Sequence, residues 1–72
     1  MTVEEKMEML EEIMDLEEGT LKKDAVLADI EEWDSMSKLS LMAEVKKRLG
    51  NKLEPGELMK FKTVQDILDY LQ

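Results

Sequence analysis

Three stretches of this chain carry apolar residues three and four positions apart, and nowhere is an apolar and polar alternation of strand length sustained, so the fold has to be built from helices. Val3, Met7, Leu10 and Met14, flanked by Met9, Ile13 and Leu16, set out a first helix over residues 3–15. Thr2 and Glu5 stand at capping-box spacing at its start. A second helix runs from Ser35 or Met36 to Leu49, about 21 Å at 1.5 Å per residue, and closes on Gly50-Asn51. Asp34 is suited to cap it, which puts Ser35 in the first turn. Leu39, Met42 and Ala43 form one apolar row on this helix and Leu41, Val45 and Leu49 an adjoining one, a face wide enough for two neighbours. Pro55 begins a short helix through Leu58, Met59 and Phe61. Thr63-Val64-Gln65-Asp66 then repeats the capping pattern ahead of Val64, Ile67, Leu68 and Leu71, a last helix of about two turns. The expected architecture is all-α, a small four-helix bundle of three main helices and one short one.

Between the first two helices lies a connection from Asp15 to Asp34, too long for a compact domain unless it is anchored or has a task. Leu21, Val26, Leu27, Ile30 and Trp33 are spaced to dip repeatedly into a helical core, and Asp24 can start a short turn through Ala25 to Leu27. With 72 residues the chain forms one domain, of a size that buries roughly 60% of its unfolded surface. It has no cysteine and no histidine, which removes disulfides, Ser-His and Cys-His dyads and the common zinc sites, so the expectation is a protein that is not an enzyme.

Charge is unevenly spread. Residues 1–34 hold 13 acidic and 3 basic side chains, and residues 35–72 hold 5 acidic and 7 basic, for a net charge of −8. So acidic a first half leaves no face for nucleic acid and favours basic protein surfaces as partners. The run Glu4, Glu5, Glu8, Glu11 and Glu12 reads as a solvated face. A Ca²⁺ loop is not indicated, since no Asp-x-Asp-x-Asp-Gly pattern occurs. No apolar stretch is long enough to span a membrane, and an acidic N-terminus does not suit a signal peptide, so a cytoplasmic monomer is expected.

Ser35 has no base within the chain to take its proton, which makes it a poor nucleophile and points instead to a substrate. New negative charge at a helix N-terminus is favoured by the dipole and the free N–H groups, although a serine or aspartate there can equally be a plain cap. The chain resembles the acyl carrier protein family over nearly its whole length. The resemblance is carried by the acidic first helix, the long connection, Asp34-Ser35-Met36 against the family's Asp-Ser-Leu, the second helix ending in Leu49-Gly50, and Thr63-Val64-Gln65-Asp66 with Tyr70-Leu71.

That resemblance implies that Ser35 is esterified to 4'-phosphopantetheine by a separate magnesium-dependent phosphopantetheinyl transferase (holo-acyl-carrier-protein synthase), the arm's thiol then holding acyl groups as thioesters. It makes Asp34 the aspartate beside the site and Met36 the apolar residue met by partner enzymes: an acyl-loading ligase or acyltransferase, and synthase enzymes. Leu39, Met42, Ala43, Ile30 and Ile67 would shelter a short acyl chain. Carriers of fatty acid synthesis, however, usually bear carboxylates along the second helix. Here Lys38, Lys46, Lys47 and Arg48 stand with only Glu44 opposing them, which counts against general fatty acid synthesis, and the Trp33-Asp34-Ser35-Met36 form with the Asp24-to-Trp33 lead-in is more similar to a specialised free-standing carrier for a polyketide, polysaccharide-modification or other dedicated acyl-transfer pathway. The alternatives are an aminoacyl or peptidyl carrier, and an unmodified helical interaction module that docks through Met36, Leu41 and Met59.

Overall fold

The computed structural model describes residues 2–50 and 52–71, so Asn51, expected to close the second helix with Gly50, lies outside the described residues. Among the described residues the chain forms four α-helices and no strand: α1 (Val3–Ile13), α2 (Ser35–Leu49), α3 (Pro55–Lys60) and α4 (Val64–Tyr70). A single 3₁₀ turn, Leu27–Asp29, interrupts the connection, slightly beyond the Asp24–Leu27 turn expected. No helix among them is long and apolar enough to cross a membrane.

The expected capping box is present on α1, where the Glu5 N–H donates to Thr2 Oγ1 at 3.1 Å and the Thr2 N–H to Glu5 Oε1 at 3.0 Å. The helix stops two residues earlier than its periodicity suggests. Asp15 adopts the left-handed conformation (φ 55°), and the Leu16 N–H donates back to the Glu11 carbonyl at 2.8 Å, closing the last turn. This is a Schellman arrangement with aspartate where glycine is usual.

α1 packs against both α2 and α4 and forms the hub of the core. Its buried residues are Lys6, Met9, Leu10 and Glu11, continued by the C-cap Met14 and with Ile13 half-buried, which turns the stripe by about one residue from the expected phase. Val3 is exposed because its side of α1 faces an open groove against Gly19, Leu21 and Lys23, where Leu21 alone among them is buried. Leu41 and Val45 of α2 are fully buried and Leu49 is half-buried, as the spacing requires. Of the second apolar row of α2 only Met42 packs against the core. Leu39 is 61% exposed, Ala43 is exposed and Met42 is half-buried, because α2 packs mainly on α1 and the six-residue α3 is too short to cover its far side. Gly50 ends α2 in the left-handed region (φ 71°), where a side chain would be strained, and its N–H donates to the Lys46 carbonyl at 3.0 Å.

The long connection is a strap held at three places. At its start the Glu11 carboxylate, only 5% exposed, accepts from the N–H groups of Gly19 (2.8 Å) and Leu21 (3.0 Å); it does not belong to the solvated acidic face expected for it. In its middle, an isolated antiparallel bridge joins Val26 to Thr63. There the Val64 and Gln65 N–H groups, unsatisfied within the first turn of α4, donate to the carbonyls of Ala25 (3.1 Å) and Lys23 (2.9 Å), while the Leu27 N–H donates to the Lys62 carbonyl (2.9 Å). Leu21 and Leu27 are buried as expected and Ile30 and Trp33 half-buried, but Val26 is exposed, the anchoring hydrogen bonds being made by the backbones of Ala25 and Leu27 on either side of it. α4 carries its own capping box, the Asp66 N–H donating to Thr63 Oγ1 at 3.3 Å and Thr63 N–H to Asp66 Oδ2 at 3.0 Å.

Candidate functional site

The third hold on the strap is the start of α2. Asp34 is the N-cap, in extended conformation, and its Oδ1 accepts from the Ser37 N–H at 3.0 Å. That hydrogen bond holds the Asp34 carboxyl below the usual carboxylate range, so it is an anion at neutral pH with its charge directed at the helix backbone. Ser37 is 5% exposed and its hydroxyl donates to the Glu32 carbonyl. Its N–H and O–H together tie both the cap and the approaching chain to the first turn.

Ser35 stands between these two fixed residues as the first residue of α2, and it is exposed. Met36 beside it is 72% exposed. Asp34, Ser35 and Met36 thus form one open ledge at the positive end of a 15-residue helix dipole, with no acidic residue in the first turn proper. Lys38 follows Ser35 by three positions and therefore shares its side of the helix. A phosphate ester on the Ser35 oxygen fits this ledge: it would lie in solvent, at the helix N-terminus, one turn from an ammonium group.

Beside the ledge lies an open groove of about 530 Å³ between the strap and α3, lined among others by Val26, Ile30, Trp33, Lys38, Met59 and Phe61. Phe61 packs edge-on against Tyr70, with ring centroids 5.6 Å apart. Of the five residues expected to shelter a short chain, Ile30 lines this groove and Met42 is half-buried. Ile67 is sealed in the packed core, and Leu39 and Ala43 face outward. The apolar docking triplet of the interaction-module alternative also comes apart. Met36 and Met59 are exposed, whereas Leu41 is fully buried.

Three residues matter here whose roles the sequence does not single out. Ser37 occupies the third helical position after Asp34, which is where an N-cap finds its N–H partner, and that spacing was a usable signal. Lys38, which the sequence groups with the other basic residues of the second helix, lines the groove. Glu11 gave no signal separable from the glutamates around it. Among the described residues, no three acidic side chains come together in a way that could hold a metal ion.

The family model described as phosphopantetheine attachment site matches residues 7–71, from within α1 to the end of α4. Comparison with curated proteins and with solved structures gave no match.

Proposed function

The chain belongs to the phosphopantetheine-attachment family, whose members carry 4'-phosphopantetheine covalently on a serine, and we propose that in this chain Ser35 is that serine. On this reading residues 1–72 form one carrier domain that holds acyl intermediates for a dedicated fatty acid, polyketide or other acyl-transfer pathway, without a reaction of its own. The arm supplies the thiol that the cysteine-free chain lacks.

One contrast carries the assignment: at the start of α2 Ser35 is exposed, while the cap carboxylate of Asp34 and the hydroxyl of Ser37 are both engaged by the fold. The chain's own residues present the hydroxyl and do not activate it. With no histidine present, and with Asp34 turned to the Ser37 N–H, the Ser35 proton must pass to a base on the transferase. The helix dipole and Lys38 then stabilise the phosphodiester left on the oxygen. Met36, exposed next to the site, offers an adaptable apolar contact to whichever enzyme approaches.

Incubation with a broad-specificity phosphopantetheinyl transferase, coenzyme A and magnesium tests this by intact mass. The protein should gain one phosphopantetheine and Ser35→Ala none. An unmodified wild-type chain, or a modified Ser35→Ala chain, contradicts the assignment.

A further inference from the structure

The row of α2 that the core leaves uncovered runs straight away from Ser35. Met36, Leu39 and Ala43 follow at helical spacing, and Lys46 and Lys47 continue the same face one turn further on, all five exposed. The stripe is apolar beside the serine and cationic at its far end. Glu44, the only carboxylate on α2, is bound to Arg48 at 2.8 Å and so neutralises that arginine and not the lysines. Among the described residues, neither Lys46 nor Lys47 has a carboxylate within 4.0 Å.

The position of these charges runs against the protein's total. A chain of net charge −8 should attract basic surfaces in general. Along the exposed row of α2 the charge has the opposite sign: the carboxylates nearest Ser35, Asp29, Glu31, Glu32 and Asp34, all lie on the strap and cap before it, while the far end of the helix carries Lys46 and Lys47. An enzyme that lies along α2 to reach Ser35 meets Met36 and Leu39 first, then the two lysines.

We propose that this stripe docks an enzyme surface made of an apolar patch bordered by carboxylates. Met36 and Leu39 enter the patch and Lys46 and Lys47 face the acids. Enzymes whose docking surface is basic are turned away by the same two lysines, so partner choice rests on repulsion as much as on attraction. The proposal rests on the carrier reading, since the enzyme concerned is one that serves the group on Ser35.

The probes are a malonyl transferase with a basic carrier-docking patch and the same enzyme with that patch changed to glutamate. Each is given holo-protein, made with the broad-specificity transferase and checked by intact mass. Wild-type carrier should show a KM about tenfold lower with the glutamate-patched enzyme than with the basic one, at unchanged kcat. Lys46→Glu with Lys47→Glu should reverse that order, and both differences should shrink at about 0.5 M salt. Met36→Ser with Leu39→Ser should raise KM with both enzymes, circular dichroism confirming that each variant is folded. A chain that gains no mass sinks the carrier reading and the docking inference with it. A loaded chain whose KM ignores the lysine reversal sinks the docking inference alone. Sedimentation supplies the remaining arm: self-association abolished by the lysine reversal would mean that a second copy occupies the stripe, and would overturn the proposal.

Discussion

Glu11 on α1 and the Asp34–Met36 ledge on α2 are both places where polar side chains meet the long strap, and they differ in what is left over. At Glu11 the carboxylate is buried and takes the N–H groups of Gly19 and Leu21, so its chemistry is consumed in holding the strap to α1. At the ledge, Asp34 and Ser37 do the same work for the strap's other end, but Ser35 between them stays exposed. Two serines two residues apart therefore have different roles, set by position on the first turn and not by residue type. A polar group engaged by the fold reports on structure. One that the fold leaves exposed, among neighbours that are fixed, is available to another molecule.

The sharpest way to break this contrast is to exchange the two serines' fates. Ser35→Ala should lose phosphopantetheine loading completely while its urea midpoint stays within error of wild type. Ser37→Ala should still load and lose about 1 kcal/mol, the typical worth of one intramolecular hydrogen bond. Equal loss of stability in both variants would show that Ser35 also supports the fold.

Next in size is the other end of the strap. Glu11→Ala leaves two backbone donors without their acceptor and should cost about 1–3 kcal/mol in urea unfolding, with loading of the folded protein unaffected. A Glu11→Ala protein as stable as wild type would mean that Gly19 and Leu21 find water at no cost. Asp34→Ala should lower the thermal midpoint by less, and Asp34→Asn by less again, because asparagine caps about as well as aspartate.

The smallest expected effect is on pH dependence. Glu5, Asp34 and Asp66 all sit below their ordinary range, each held there first by a backbone hydrogen bond, from Thr2, Ser37 and Lys62 respectively. A carboxyl whose pKa is lowered on folding adds stability that is fully present above its unfolded value and is lost as pH falls through the folded one. The thermal midpoint should therefore be level above about pH 5 and fall as pH drops below about 4. A midpoint that stays flat through the whole acid range would show that these caps contribute nothing as ions.

Much of this was legible in the residues. Both capping boxes, the bounds of α2 and the cap by Asp34 rest on local hydrogen bonds with fixed spacing, and these hold whatever packs nearby. The phase of each buried stripe was not legible to better than one residue. Met7 and Met9 on α1, and Leu39 and Leu41 on α2, are equally apolar, and which of each pair turns inward is settled by where the neighbouring helices lie. Glu11 was hidden for a related reason: only the left-handed turn at Asp15, which brings Gly19 and Leu21 back over α1, makes it differ from the glutamates beside it. The candidate serine could be read from its place in the chain, while its availability depended on contacts that Ser37 makes outside the helix.

The most direct measurement is to locate the added group by fragmentation mass spectrometry of the loaded wild-type protein, which offers Ser35, Ser37 and Ser40 within one short stretch. Phosphopantetheine should be found on Ser35 alone. Phosphopantetheine on Ser37 or Ser40 would contradict the assignment.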